Sequence, residues 1–348
     1  MTAMRIAVAA GGTGGHVFPA LAIADELRRR GCDVHWLAAG GMETRLAPAH
    51  GFPAHLVSFS PPRGVGGVLR LARAAWRARG VLRRLRPAAV LATGGYASAP
   101  GGLAAKMIGA PLIIHEQNAV AGRANRLLCK IARRICTGFP GVPPGGRWTG
   151  NPARREFFAC PPPEARFISD SPPRRLLILG GSQGARALNE KIPAALAKLP
   201  DEFQVVHQCG RGNADDTERA YRDGGRRAEV CEFLDDVAAR MTAADLVVCR
   251  AGAATLAELA AAGAAALLVP YPFAAADHQR FNARFWEERG AAFVRAQKDL
   301  DADALAEFLS AMTRPMLRRT AAAARSLARP RAAAEVAETC LEEAENAS

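Results

Sequence analysis

Short, mainly apolar runs recur along the chain, and they alternate with stretches whose apolar positions repeat with helical spacing. In the first half the runs cover residues 4–10, 33–38, 88–92 and 111–114; in the second they cover 175–179, 204–208, 245–249 and 265–269. A run without polar alternation predicts a strand buried on both faces. Such strands alternating with amphipathic helices predict parallel sheets covered by helices on both sides, the doubly wound α/β class. The chain also begins twice. Residues 5–10 meet Gly11-Gly-Thr-Gly-Gly15 and a helical pattern through Leu27, and residues 175–179 meet Gly180-Gly-Ser-Gln-Gly184 and a helical pattern through Leu199. Each opening is the strand, glycine turn and helix that starts a nucleotide-binding domain.

A chain of 348 residues exceeds what one core supports, so two domains are expected. The proline-rich stretch 160–164 and the pair Pro172 and Pro173 place a linker near residues 155–174, because that composition continues neither a helix nor a central strand. The expected division is 1–160 and 161–348, with the last helix returning to pack on the N-terminal domain. Two uncharged stretches, 87–105 and 259–276, approach membrane-spanning length but are interrupted by Gly and Pro, and read as strand, turn and helix pieces. The opening lacks a basic start, apolar run and cleavage site, which predicts a cytoplasmic protein. Eight scattered cysteines with no CxxC read as reduced packing residues, and the seven histidines do not cluster as zinc ligands.

Charge singles out the first half. Of a formal net charge of +13, residues 1–150 contribute 20 basic and 5 acidic side chains, and the remainder 26 and 28. Residues 63–86 hold Arg63, Arg70, Arg73, Arg77, Arg79, Arg83, Arg84 and Arg86 without an acid, interleaved with Val65, Val68, Leu69, Ala72 and Trp76 at helical spacing. An apolar stripe in a basic surround suits an anionic membrane surface; an ordinary surface helix would instead lay its arginine stems over the core. The segment lacks a nucleic-acid-binding fold and aromatic interleaving, so no nucleic-acid partner is expected. A second basic segment, containing Arg123, Arg126, Lys130, Arg133 and Arg134, reads as a further helix.

A glycine turn at a helix start brings backbone N–H groups and the positive end of the helix dipole to an anion, which predicts a phosphate-bearing ligand. The dinucleotide fingerprint fails, since Val17 stands at its last glycine position and the second strand ends in Leu37-Ala-Ala-Gly40 without an acidic residue for a ribose; the P-loop pattern is absent. An NAD enzyme and an NTPase are both disfavoured. Further polar clusters lie at strand ends or in loops: residues 93–98, 115–118, 150–154, 250–258 and 277–282.

These residues resemble a family. GGTGGH at 11–16, GGYAS at 94–98, HEQN at 115–118, GNPAR at 150–154, GGSQGA at 180–185, RAGAATLAE at 250–258 and DHQRFNA at 277–283 match, in order and across essentially the whole chain, the motifs of the MurG family. The resemblance implies the GT-B fold, two Rossmann-like domains facing across a cleft. It implies an inverting transfer of N-acetylglucosamine from UDP-N-acetylglucosamine (UDP-GlcNAc) to the MurNAc 4-hydroxyl of undecaprenyl-pyrophosphoryl-MurNAc-pentapeptide, lipid I, giving lipid II. The implied location is peripheral, on the cytoplasmic face of the cell (inner) membrane, with cell-wall or division proteins as partners. The alternatives are another UDP-sugar GT-B enzyme with a soluble acceptor, a UDP-GlcNAc epimerase, or a non-catalytic membrane-peripheral UDP-sugar-binding protein.

Residue by residue, the resemblance implies that Ser182 and its turn meet the pyrophosphate and that Arg154 reaches the donor site. Glu258, taken to lie at a helix start, would accept from the ribose hydroxyls, with Ala253, Ala254, Thr255, Leu256 and Ala257 as the backbone cradle before it. Leu234 would flank the uracil, Gln279 and Asn118 would contact sugar, and Thr13, Gly14 and Gly15 would close over the donor. Tyr96, Ser98 and residues 115–118 form the implied acceptor side. Ala251 departs from the family pattern, where Ser is common. His16 is the leading candidate base, because histidine suits proton transfer near neutral pH; it could instead bind phosphate or lock the loop. Glu116 is the competing base. The D-x-D-like acids Asp299, Asp301 and Asp303 precede a helical run and read as its N-cap and first turn. No metal and no cofactor are therefore expected, and backbone N–H groups are left to stabilise the leaving diphosphate.

Overall fold

The computed structural model describes residues 3–59, 66–167 and 174–347, so Arg63, Val65, Pro172 and Pro173 lie outside the described residues. The chain forms two compact units, Met1–Ala153 with Arg329–Ser348, and Arg154–Ala328.

The first unit opens with β1 (Arg5–Ala10), α1 (Gly14–Arg29), β2 (Asp33–Ala38), α2 (Glu43–Ala49) and β3 (Ala54–Leu56). It continues through α3 (Gly66–Leu85), β4 (Ala89–Gly94), α4 (Ser98–Ile108), β5 (Leu112–Glu116), α5 (Arg123–Leu128), β6 (Arg134–Thr137) and β7 (Arg147–Trp148). The second unit begins with α6 (Arg155–Phe158), α7 (Pro163–Arg166), β8 (Arg175–Leu179), α8 (Arg186–Leu196), β9 (Gln204–Gln208) and α9 (Ala214–Asp223). After β10 (Glu229–Cys231) come α10 (Val237–Ala243), β11 (Leu246–Cys249), α11 (Ala253–Ala262) and β12 (Ala266–Leu268). The unit ends with α12 (His278–Glu287), β13 (Phe293–Val294), α13 (Ala302–Ser310) and α14 (Arg314–Ser326), and α15 (Ala332–Glu345) belongs to the first unit.

Both sheets are parallel, ordered β3-β2-β1-β4-β5-β6-β7 and β10-β9-β8-β11-β12-β13. Alternate residues of β1 show why the strands carry no polar face. Ile6 and Val8 pack with Leu21 and Leu27 of α1 and with Val336 and Cys340 of α15, while Ala7 and Ala9 pack with Ala78 and Leu82 of α3 and Ala104 of α4. In each sheet the strand order reverses between the first strand and its neighbour, β1 with β4 and β8 with β11, which opens a ligand-binding position beyond their carboxyl ends. The two glycine turns follow β1 and β8.

Two local expectations need correction. The stretch expected as a linker carries α6 and α7, because Phe157 and Phe167 are buried in the second unit and Pro163 occupies a first-turn position where its missing N–H is tolerated. The second basic segment is helical only over Arg123–Leu128, with Arg134 starting β6. Arg133 and Arg134 are moreover bonded, at 2.8 and 2.9 Å, to the buried Glu343 of α15, which satisfies their charge within the unit. Asp301 caps α13 by accepting from the Ala304 N–H, with Asp303 in the first turn.

Candidate active site

In the first unit the turns after β1 and β4 touch because their strands are neighbours. Gly95 has φ +77°, and a Cβ there would collide with the Gly11 carbonyl, so glycine alone permits the contact. His16, half-buried in the first turn of α1, lies against Gly94, where an added Cβ would fall 2.7 Å from Nδ1. His16 Nδ1 is 3.1 Å from the Thr93 carbonyl and 3.0 Å from Gln117 Oε1. Thr93 Oγ1 in turn donates to the His16 carbonyl at 3.0 Å.

Glu43 was not anticipated from the sequence. It is fully buried; Oε1 accepts from the Ala39 and Gly41 N–H groups at 2.9 Å each, and Oε2 accepts from the Gly12 N–H at 3.2 Å. At Gly12 the anion-binding donor is thus met by the protein's own carboxylate, which fixes the turn as a mount for His16. Thr13 and Gly15 are exposed and Gly14 is half-buried.

Glu116 is corrected as a base candidate. It is 1% exposed, Oε1 accepts from the Asn118 N–H at 2.9 Å and from Asn118 Nδ2, and Oε2 accepts from the Gly122 N–H at 3.0 Å and Asn125 Nδ2 at 2.8 Å. A carboxylate whose two oxygens hold four donors, away from solvent, braces the 116–125 loop and has no lone pair to offer a substrate hydroxyl. Ser98 and His115, expected on the acceptor side, are also fully buried. Ser98 Oγ accepts from the Gly94 N–H at 2.8 Å and lies 2.6 Å from the Ala9 carbonyl, holding the second turn together. Tyr96 is exposed.

In the second unit the turns after β8 and β9 pass backbone to backbone at Gly184 (φ +76°) and Gly210 (φ +85°), where any Cβ would strike the opposing chain. Gln208 pins the first of them: Oε1 accepts from the Gly181 N–H at 2.8 Å, and Nε2 donates to the Gly181 and Glu232 carbonyls. The brace here is a neutral amide where the first unit has a carboxylate, so the turn bearing the exposed Ser182 keeps its electropositive character for an anion. Leu234 is half-buried in the loop between β10 and α10.

The first turn of α11, Ala253 to Thr255, follows the N-cap Gly252, and the first intrahelical bond shown is from the Leu256 N–H to the Gly252 carbonyl at 3.0 Å. The N–H groups of that turn therefore have no intrahelical acceptor. Glu258 lies in the second turn of α11, on a half-buried face, and not at the helix start as expected. Its Oε1 accepts from Arg154 Nε at 2.8 Å. Burial pushes the Glu258 pKa up, against the opposing pull of the Arg154 charge. Arg154, expected to reach the donor, is held to this carboxylate and stacks over Phe157 at 4.8 Å. Gln279 Oε1 accepts from the Ala251 and Tyr271 N–H groups at 3.2 and 3.0 Å, so its Nε2 is the donor it can offer a ligand. Ala251 is fully buried.

The structure thus gathers Thr13 to His16 and Asn118 at the carboxyl edge of the first sheet, and Ser182, Leu234, residues 253–258 and Gln279 at that of the second. Sequence reasoning missed Glu43 and Gln208, and it placed Gln117 on the acceptor side without its contact to His16. A readable signal existed for Glu43, which follows a glycine pair after β2. Among the described residues, no group of three or more His, Cys, Asp or Glu side chains is placed to hold a metal ion.

Both units match models of one glycosyltransferase family. Residues 6–137 match the glycosyltransferase family 28 N-terminal domain and residues 175–338 the family 28 C-terminal domain. A UDP-N-acetylglucosamine--N-acetylmuramyl-(pentapeptide) pyrophosphoryl-undecaprenol N-acetylglucosamine transferase from Ralstonia nicotianae is 49% identical, covering 96% of this chain and 95% of that protein. The one from Aromatoleum aromaticum is 48% identical, covering 96% of each. The crystal structure of Acinetobacter baumannii MurG superimposes with a TM-score of 0.88 at 37% identity, covering 97% of this chain and 99% of that one. With both family domains in order and such identity over nearly the full length, the chain belongs to the MurG family of glycosyltransferases.

Proposed function

We propose that this protein transfers N-acetylglucosamine from UDP-GlcNAc to the MurNAc 4-hydroxyl of lipid I with inversion at the anomeric carbon, forming lipid II. The observation that carries the reading is full-length identity of 46–49% to proteins named for that transfer, and the glycine turns after β1 and β8 lie at the two strand-order reversals. The second unit holds the donor. Ser182 with its turn and the N–H groups of Ala253 to Thr255 receive the diphosphate, Leu234 flanks the uracil, Glu258 accepts from the ribose hydroxyls, and Gln279 Nε2 donates to sugar. The first unit presents Asn118 and the Thr13–Gly15 turn, and His16 Nε2 takes the proton of the acceptor hydroxyl. As that oxygen bonds to the anomeric carbon, the bond to the diphosphate breaks on the opposite face, and its electron pair leaves with UDP toward the backbone donors.

The decisive experiment supplies UDP-GlcNAc labelled in the sugar together with a lipid I analogue. A β-linked disaccharide lipid and free UDP are expected. Epimerised sugar without acceptor would identify an epimerase, and binding without donor loss would identify a non-catalytic protein.

Glu258→Ala should weaken UDP-GlcNAc binding by roughly 1.5–3 kcal/mol, about ten- to a hundredfold in Kd, through loss of a charged acceptor. Because burial raises the Glu258 pKa above the ordinary carboxylate range, acidification protonates it sooner than an exposed glutamate, and the neutral acid no longer accepts from both hydroxyls as the carboxylate does. The wild-type Kd should therefore rise as the pH falls toward that value, and the Glu258→Ala Kd should not. Calorimetric titration across pH reads both effects, and a flat wild-type profile would remove the ribose assignment.

Membrane docking is assigned to α3. Its core-facing side carries Ala74, Ala78 and Leu82, a second side exposes Val68, Leu69 and Trp76, and the arginines Arg73, Arg77 and Arg84 follow on the third. An exposed tryptophan beside basic residues fits the interface of an anionic bilayer, and Arg79 lies 4.7 Å over its ring. No helix among the described residues is long and apolar enough to cross a membrane. Replacing Arg73, Arg77, Arg83 and Arg84 with Gln should cost about 1 kcal/mol of vesicle binding for each side chain near the surface and flatten its salt dependence. Turnover of a water-soluble acceptor should persist; unchanged sedimentation with anionic vesicles would exclude this surface.

A further inference from the structure

We propose that Gln117 and His115 are positioning residues that hold His16 as its Nδ1–H tautomer, leaving Nε2 as the proton-accepting atom of the ring. The inference rests on His16 as the base but is tested separately from it.

The argument starts at the far end of a hydrogen-bonded chain. The Gly150 carbonyl can only accept, so His115 Nε2, 2.9 Å away, carries a proton. His115 Nδ1 is then an acceptor and takes one hydrogen of Gln117 Nε2 at 3.0 Å. The other hydrogen goes to the His115 carbonyl at 2.9 Å. A flipped amide would set Oε1 against that carbonyl, two acceptors face to face, so the orientation of Gln117 is determined. Its Oε1 consequently faces His16 Nδ1 at 3.0 Å, where only an N–H can satisfy it. The Thr93 carbonyl, 3.1 Å from the same nitrogen, makes the same demand independently. Neutral His16 must therefore carry its lone pair on Nε2, because the partner of one ring nitrogen decides the state of the other. An imidazole in water prefers the opposite tautomer, which has no lone pair at Nε2.

Burial keeps this chain in its working form. His115 is fully buried, and burial pushes its pKa down despite the Gly150 bond and the nearby Glu116, so it stays neutral near neutral pH with Nδ1 able to accept. Gln117 is 1% exposed, which denies water its place, and Asn151 Nδ2 anchors its carbonyl at 2.9 Å. Of the two middle residues of the HEQN motif, Glu116 thus braces a loop and Gln117 orients the His16 ring, while the motif's histidine fixes the Gln117 amide.

Long-range proton–nitrogen correlation spectra of the full-length, 15N-histidine-labelled protein read the tautomer directly, since protonated and unprotonated ring nitrogens resonate far apart. Wild-type His16 should appear as Nδ1–H when neutral. Gln117→Leu, which leaves the 3.1 Å Thr93 carbonyl contact at Nδ1, should raise the Nε2–H fraction above that of the wild type and lower kcat severalfold, with the donor KM near wild type. Gln117→Glu, as the neutral acid in this buried position, has an O–H to replace the amide donor toward His115 and a carbonyl oxygen that still accepts from His16 Nδ1, so it should retain the tautomer. A wild-type Nε2–H signal, or a folded Gln117→Leu with an unchanged His16 tautomer, overturns the proposal. Should Gln117→Leu fail to fold, the wild-type and Gln117→Glu spectra decide it. A tautomer that follows Gln117, alongside a fully active His16→Ala, would uphold the positioning and refute only the base assignment.

Discussion

Replacing His16 with alanine lowers kcat by about 10²- to 10⁴-fold and leaves the donor KM close to wild type. The asymmetry follows from where a base acts. Proton transfer from the acceptor hydroxyl contributes only as the new bond forms, whereas a hydrogen bond to the donor diphosphate would act in the ground state as well. The substitution itself is mild: the His16 N–H donates to the Thr13 carbonyl, Thr93 Oγ1 bonds the His16 carbonyl, and both bonds survive a side-chain truncation in a helix that favours alanine. Steady-state kinetics with UDP-GlcNAc varied at saturating acceptor separates the two roles. A KM effect of the same size as the kcat effect would make His16 a phosphate ligand. Glu116 would not inherit the base role, because its oxygens are already committed to the loop.

Asp245→Ala destabilises the second unit by about 3–5 kcal/mol, or roughly 6–20 °C in its melting temperature. Asp245 is 2% exposed and collects the Arg174 and Arg175 N–H groups at 2.9 Å each, Arg175 Nη2 at 2.9 Å and Arg314 Nη1 at 3.0 Å. It joins the start of β8 to the first residue of α14, and its removal leaves the Arg314 guanidinium, 11% exposed, without this carboxylate. Burial alone would push the Asp245 pKa up, but the side-chain and backbone bonds from Arg175 and Arg174 outweigh it and the pKa is lowered. The folded value thus lies below the unfolded one. The contribution is complete above the ordinary carboxylate range and is lost as the pH falls through the lowered value. Hydrogen exchange read peptide by peptide along a denaturant series should show the second unit opening earlier while the first is unchanged. An unshifted second unit would mean that the pairs contribute nothing.

The strands were the most legible part of the chain. Residues 33–38, 175–179 and 204–208 were read to the residue, because a strand covered on both faces leaves a short, mainly apolar run between polar turns. The boundary region was misread for the complementary reason. Proline content disfavours regular structure locally, yet burial of Phe157 and Phe167 compensates, and one-turn helices form. Glu258 was placed a turn too early because a glycine before an alanine run marks the N-cap without saying which side chain reaches a ligand.

The candidate site divides in the same way. The glycine turns, the HEQN motif and the α11 turn could be found in the sequence, since phosphate binding demands backbone approach and hence glycine at recognisable spacing. His16 was the leading base there and Glu116 its competitor, two titratable groups in separate motifs. Their different fates depend on partners that composition does not reveal: Glu116 folds back on Asn118, Gly122 and Asn125, while His16 is met by Thr93 and Gln117, 77 and 101 residues away.

The sequence by itself determined the two α/β units, the positions of the anion-binding turns, the basic first half and the family. Only the tertiary structure decided which carboxylates are internal braces, that Arg154 is bound to Glu258, that Arg133 and Arg134 are satisfied by Glu343, and which nitrogen of His16 carries the proton. Periodicity and composition report what each segment buries, a property of the segment alone. The state of a buried polar group is set by the donors and acceptors that surround it, and in this fold those come from strands brought together across the sheet.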